Sequence, residues 1–407
     1  MPEGINKHLL SVLELRSQYR PLLTNLTSLE WGSYFCTQPI SSSMVVHFMG
    51  ISLRRLAIIF PLSMSSPCGA EQLLAALKER TPLLEQLEIK GSPDVANAAF
   101  NAASSLPKLN TFHTVDFAIR MAHLLPLAQL DHLRRISLTL DENTLLTNST
   151  ADYIPTFHSL ETVNLDTTAL SYATVFILKF LLGSPLREFT LAFFHVSNQE
   201  DIMHLSFAMS QALPHNLMTT IRVWGSESAR APRGDHAHGL DVGMLRNLFV
   251  FRDLEVFTFN LVMNYGAIDD NFIGDLVTHW PALRALSLVP TGRTPCPMVS
   301  LSLEGLIHFT KSRNLIYLNV LFDGSNIWSQ HPLANGLSCP SLRHLDVHAS
   351  SFNIRDLDAV ASLIADIFPS LTDGIKSLEP SIEEEASAER AMLWSSVTCR
   401  YNLFVKM

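Results

Sequence analysis

The 407 residues are 47% hydrophobic and 16% charged, with 38 acidic against 29 basic side chains and a formal net charge of −9. That apolar content excludes wholesale disorder, and an acidic balance without basic stripes excludes nonspecific binding to nucleic acid or anionic membranes. The cysteines (Cys36, Cys68, Cys296, Cys339 and Cys399) are isolated and form no Cys-x-x-Cys pair, which fits a reduced intracellular chain.

Taken from the start, Met1 to Leu15 shows no basic segment followed by an apolar run, so no secretory signal is expected. The sequons at Asn25 and Asn148 are then chance matches. His8 to Tyr19 reads as a short helix. From Leu26 the chain repeats the pattern Leu-x-x-aliphatic-x-aliphatic, with aromatic residues at some of these positions. Clear copies are Leu26/Leu29/Trp31, Leu53/Leu56/Ile58, Leu84/Leu87/Ile89, Leu133/Ile136/Leu138, Leu160/Val163/Leu165 and Leu186/Phe189/Leu191. They continue at Leu254/Phe257/Phe259, Leu283/Leu286/Leu288, Leu315/Leu318/Val320 and Leu342/Leu345/Val347. Leu109/Phe112 and Met218/Ile221/Val223 are weaker copies, and Leu371 is a remnant. Leading residues lie 24 to 36 positions apart. One such repeat cannot bury its apolar side alone, so a fixed period predicts stacking of repeat on repeat.

Between copies the spacing turns helical: Ala70 to Leu77, Val95 to Ser105, Phe117 to Leu125, Ser171 to Leu182, Ile202 to Leu213, Asp270 to Trp280 and Asp356 to Phe368. Several close before Pro107, Pro214, Pro281 or Pro369, which cannot continue a helix and push the preceding residue extended. The apolar run Thr168 to Gly183 is shorter than the roughly 20 residues of a membrane span and reads as a buried solenoid helix. The aromatics Phe193, Phe194, Phe249, Phe251, Phe257 and Phe259 fall at repeat positions and are core candidates. Exposed loops are expected at Ser226 to Gly239, Pro290 to Ser300 and Asp323 to Leu337. After Leu371 the repeat stops, and a helix is expected from Glu383 through Trp394, with its early acids suiting the helix dipole.

These elements predict an α/β leucine-rich-repeat solenoid of the ribonuclease-inhibitor-like horseshoe type, with a parallel β-sheet on the concave face and helices on the convex face. The expected division is a helical N-terminal cap over 1–25, about 12–13 irregular repeats over 26–375, and a helical C-terminal cap over 376–407. Period-2 strands turn each apolar pair inward and the alternating residues onto the concave face. The candidates there for partner binding are Arg55, Gln86, Glu88, His113, Arg135, Asn164, Glu188, Tyr317, Asn319, His344 and Asp346. Their charges are mixed, so no partner charge follows from them.

Particular phrases carry a family resemblance: Pro21 through Trp31, Ser184 through Phe189, Trp280 through Leu286, Cys339 through Leu345, Ile367 through Leu371, and the tail Trp394 to Val405. Together these resemble the leucine-rich region of F-box proteins, in particular the divergent set of mushroom-forming (basidiomycete-type) fungi. The resemblance implies recognition of a protein target for an SCF-type ubiquitin ligase. The F-box itself, which grips a Skp-type adaptor and through it a cullin, has no counterpart here, because only 25 residues precede the first repeat and no Leu-Pro-x-Glu phrase occurs. Adaptor and cullin binding are therefore expected only if an F-box is encoded upstream.

Chemistry-bearing patterns are few. His236-Ala-His238 with Asp235 could ligate a metal, but no further ligand lies at a recognisable spacing, so a polar loop is expected. Cys296 has only Arg293 nearby to lower its thiol pKa. Phosphate-binding glycine loops are absent, and Trp224-Gly-Ser lacks the second glycine of a nucleophile elbow. Asp269-Asp270 sits at a helix start, where capping explains it. The expectation is a non-enzymatic protein-binding scaffold without cofactor or metal, acting on an unidentified protein target, with no nucleic-acid or membrane partner. An orphan structural or inhibitory solenoid is the alternative, and a metal-dependent enzyme the remote one.

Overall fold

In most repeats the residue just after the leading leucine offers its carbonyl to two backbone N–H groups of the next repeat. Arg54 O accepts from Glu85 N (2.8 Å) and Gln86 N (2.9 Å), Glu85 O from Asn110 N and Thr111 N, Asn110 O from Arg134 N and Arg135 N, and Arg134 O from Glu161 N and Thr162 N. The same step recurs at Arg187, Thr219, Glu255, Arg284 and Ile316. In this computed structural model the described residues are 22–32, 45–60, 68–141, 156–194, 198–225, 241–261, 265–290, 299–325, 337–347, 350–352, 354–372, 374–377 and 385–405. The expected helix at 8–19, the loop with His236 and His238, and Cys296 lie outside them.

The chain forms two units, Met1–Thr168 with Val175–Leu186, and Ala169–Thr174 with Arg187–Met407. In the first, strands at Ser28–Gly32, Arg55–Ile59, Gln86–Lys90, Thr111–Ala118, Arg135–Leu140 and Thr162–Thr167 lie side by side in chain order. Every pairing among them is parallel. In the second, strands at Glu188–Phe193, Thr220–Gly225, Val256–Asn260, Ala285–Leu288, Tyr317–Val320, His344–Asp346 and Ile375–Lys376 repeat the arrangement, again parallel throughout. Helices connect most neighbouring strands. This is a leucine-rich-repeat solenoid.

The repeat pattern explains the core. Leading leucines Leu53, Leu84, Leu109, Leu133 and Leu160 are buried, and so are the inward strand residues Leu56, Leu87, Phe112, Ile136 and Val163, which share one register row. Burying each such side chain is worth about 1.5–3 kcal/mol. The pre-proline residues become core as well: Leu106, Leu213, Trp280 and Phe368 are all 3% exposed or less, and Leu213, Trp280 and Phe368 stand at helix C-caps outside the α region, which the following proline disfavours. Gly91 follows the strand Gln86–Lys90 with φ +153°, and a Cβ there would meet Phe60 Cβ at 2.8 Å, so only glycine fits this approach.

Helix starts follow capping chemistry. Asn198 Oδ1 accepts from Asp201 N (2.7 Å), Asp269 Oδ1 from Phe272 N (2.7 Å), and Asp241 Oδ1 from Gly243 N (2.8 Å). The helix at Leu170–Phe180 occupies the long apolar run. Among the described residues no helix is long and apolar enough to cross a membrane.

Several expectations need correction. Phe117 and Ala118 belong to the longest strand, and the helix begins only at Met121. A register shift between His113 and Ala118, with Asp116 at φ 75°, carries the strand past its weak repeat signature. Phe194 is 43% exposed, unlike the other aromatics named with it, because it lies one residue beyond its strand. The segment Glu304–Lys311 forms a 3₁₀ helix where no helix was expected. Asp323–Gly324, expected in a loop, pairs in parallel with Ser351–Phe352 as a small second sheet.

The last helix, Glu385–Phe404, runs well past Trp394. Trp394 is buried, donates its indole N–H to Ser350 O (2.9 Å), and meets Phe352 and Phe322 edge-on at 4.8 and 5.8 Å. Tyr401 donates to Phe368 O (2.8 Å) and accepts from Leu371 N (3.1 Å). The helix thus packs against Phe322, Ser350, Phe352, Phe368 and Leu371. Truncating Trp394 to alanine is expected to cost about 3–5 kcal/mol, read as a lowered denaturant midpoint. An unchanged midpoint would show that this helix does not hold the repeat end.

Candidate interaction surface on the open sheet face

The residues that alternate with the core pair lie on the helix-free side of each sheet. Parallel register aligns them into rows about 4.8 Å apart from strand to strand. In the first unit one row reads Ser28, Arg55, Gln86, Thr111, Arg135, Thr162, and the next Glu30, Ala57, Glu88, His113, Ser137, Asn164. Arg55, Gln86, Arg135 and Asn164 are exposed, while Glu88 and His113 are partly buried. The structure therefore brings six of the sequence candidates onto one face.

Around Glu88 these residues form a charged cluster. Lys90 Nζ lies 2.8 Å and His113 Nδ1 3.8 Å from Glu88 Oε1. Burial acts to raise the Glu88 pKa, but the hydrogen bond from Lys90 and the charges of His113, Lys90 and Arg55 together outweigh it and hold the carboxyl low. Burial depresses His113, and the attraction of Glu88 and Asp166 does not offset that desolvation. The positive charge of Lys90 adds to the desolvation and opposes the lift from the two carboxylates. Asp166 is raised by burial, against the pull of His113.

Lys90 and Asp166 did not emerge from the sequence. Each lies two residues past a face residue that did, Glu88 and Asn164, beyond the last core position of the motif. Continuing the period-2 alternation one step further would have found both.

In the second unit the rows are Glu188, Thr220, Val256, Ala285, Tyr317, His344 and Thr190, Arg222, Thr258, Ser287, Asn319, Asp346, Lys376. Glu188 is exposed at the start of its row. Tyr317, 36% exposed, stands 6.5 Å from the His344 ring. Burial pushes the Tyr317 hydroxyl up, helped by the Asp346 charge and opposed by a hydrogen bond from Asn319. Asn319 is 8% exposed: its amide donates to Ser287 Oγ (3.1 Å), and that hydroxyl donates to Asn260 Oδ1 (3.1 Å). Asn319 therefore works as part of an interstrand polar ladder in the row next to Tyr317 and is mostly withdrawn from the surface. Arg222 and Trp224 also lie on this face, flanking Val223 in a weak repeat copy whose alternating positions the sequence reading left unassigned.

None of these arrangements assembles a nucleophile with its base. Among the described residues no three His, Cys, Asp or Glu side chains gather as a metal-holding group. What the face offers is a fixed array of charged, amide and aromatic side chains.

No protein-family profile matches the chain, and no curated protein does. Solved structures similar to it include a leucine-rich-repeat protein of Leptospira interrogans, at 12% identity and TM-score 0.36, with 89% of this chain and 98% of that one covered. Another is the TLR13–ssRNA13 complex, at 13% identity and TM-score 0.32, covering 81% of this chain and 55% of that one. A third is the leucine-rich-repeat ectodomain of the Arabidopsis thaliana receptor kinase GASSHO1/SCHENGEN3 bound to CASPARIAN STRIP INTEGRITY FACTOR 2, at 15% identity and TM-score 0.32, covering 81% and 36%. The chain spans about half the length of the second and about a third of the third.

The burial of His113 predicts that its imidazole titrates below the ordinary value of about 6.5. Its folded pKa is depressed, so its contribution to stability is complete above that value and is lost as the pH falls toward the folded pKa. Asp166 runs the other way, weakening the fold as the pH rises from its ordinary range to its raised folded value. Following the ring protons by NMR should place His113 low, and Glu88→Gln, which removes an attractive charge, should lower it further. A rise in the variant would contradict the cluster geometry.

Proposed function

We propose that the chain is a protein-binding scaffold that recognises its target across the open sheet face. The observation that supports this reading best is the register: exposed, chemically mixed side chains stand in parallel rows on a backbone that is already ordered. Such a surface loses little conformational entropy on binding. Arg55, Gln86, Glu88, His113, Arg135 and Asn164 form one recognition set, and Glu188, Tyr317, His344 and Asp346 a second, with Asn319, expected among them, serving the ladder beside Tyr317 instead. Tyr317 and Arg135 are the strongest anchors, since tyrosine and arginine dominate measured interfaces.

The finer reading is that this scaffold is the substrate-recognition region of an F-box-type receptor of an SCF-type ubiquitin ligase. It rests on the sequence resemblance alone. Co-purification with a Skp-type adaptor favours it, while an orphan structural or inhibitory solenoid would leave the adaptor behind.

Combined Arg135→Ala and Tyr317→Ala should weaken a partner recovered by pull-down by at least tenfold while leaving the circular-dichroism spectrum unchanged, each anchor being worth more than 1 kcal/mol. Undiminished binding would rule out the face as the recognition surface.

A further inference from the structure

We propose that the leading edge of the first unit's sheet carries a separate binding site for an oxyanion, the carboxylate or phosphate group of a partner peptide. The double-accepting carbonyls fix this edge, so the side chains of Arg54, Glu85, Asn110, Arg134 and Glu161 follow one another as neighbours along it. A cleft of about 340 Å³ opens there, lined by Arg54, Glu85, Lys108, Asn110, His132 and Arg134 as its polar groups. Its size suits one side chain or a phosphate.

Two neighbouring repeats supply the centre of this cleft. One contributes Lys108 and Asn110, the other His132 and Arg134, joined by the 2.8 Å bond from Arg134 N to Asn110 O. All four can donate hydrogen bonds, and no carboxylate stands among them. Glu85 lines the cleft between Arg54 and Asn110, and Glu161 stands beyond Arg134. Glu85 pairs with Arg54 at 3.6 Å on one side, and Glu161 accepts from Arg134 at 2.9 Å on the other. Arg54 is also held by the Leu83 carbonyl at 3.1 Å, which keeps its guanidinium at the cleft wall. The amide of Asn110 accepts from Thr111 Oγ1 at 2.9 Å through its oxygen, leaving its NH₂ as the donor toward the cleft.

A concave cluster of cations on a chain of net charge −9 is suited to a charge-assisted contact, because the surrounding surface disfavours anions that do not reach it. The two flanking glutamates compete with the ligand for the arginines. This makes the site testable by gain as well as by loss.

The experiment uses the full chain. Three peptides identical except for a central phosphoserine, glutamate or serine are titrated and followed by fluorescence anisotropy, with inorganic phosphate as a competitor. The phosphoserine or the glutamate peptide should bind more tightly than the serine peptide, and whichever leads identifies the source of the anion. Affinity should fall with added salt. Lys108→Ala with Arg134→Ala should weaken binding by about tenfold or more. Glu85→Gln should tighten it, an outcome that damage to the fold would not produce. Tyr317→Ala should leave it unchanged, which separates this site from the proposed sheet-face surface. Equal binding of all three peptides, or a Glu85→Gln variant that binds no better, would overturn the proposal.

Discussion

One recurring backbone contact sets the geometry of this protein: in most repeats a single carbonyl receives two N–H groups from the next. It fixes where each strand begins relative to its neighbour, and therefore which side chains share a row. Once Arg54 O holds both Glu85 N and Gln86 N, Leu56 must align with Leu87 and Arg55 with Gln86. Core, open face and leading edge are three consequences of that one alignment. A slip of one residue would exchange inward leucines for outward charges, and the loss of buried apolar area along a whole strand opposes it.

The same alignment explains how groups distant in sequence come to act together. Glu88, His113 and Asp166 sit on three strands, the first two direct neighbours and the third separated from them by the strand Arg135–Leu140. None is perturbed by anything in its own repeat except Glu88, which Lys90 holds. Burial opposes the charged form of each residue, and its balance against neighbouring charges differs at each position. Glu88 has a close cation and ends low, while Asp166 has only a partly buried imidazole and ends high. In the second unit the polar ladder Asn319–Ser287–Asn260 ties three strands together next to Tyr317. There neutral groups bond to one another from strand to strand, in the row next to the aromatic ring.

The face and the leading edge differ in the freedom of their side chains. Face residues project from strands whose positions are fixed on both sides by ladder bonds. Edge residues project from the turn just before the strand, where ion pairs such as Arg134–Glu161 are solvent-exposed and individually worth little. Weak pairs are easily exchanged for a competing anion, whereas the packed face changes little.

By itself the sequence determined the architecture, because burial of apolar residues at a fixed period leaves few alternatives: the Leu53/Leu56/Ile58 type of pattern is the core seen edge-on. It also located Arg55, Gln86, Glu88, His113 and Tyr317 on the open face, since strand alternation is a local property. It was less reliable where a repeat departs from the pattern. The strand through Phe117 and Ala118 runs through a register shift that local spacing does not encode, and Phe194 lies one residue past the point where alternation stops meaning burial. Only the tertiary structure decided which charges meet. The Lys90–Glu88–His113 contacts, the withdrawal of Asn319 into a ladder, and the gathering of Lys108, Asn110, His132 and Arg134 into one cleft all arise between repeats. Their distances are set by how repeats stack, and no single repeat carries that information.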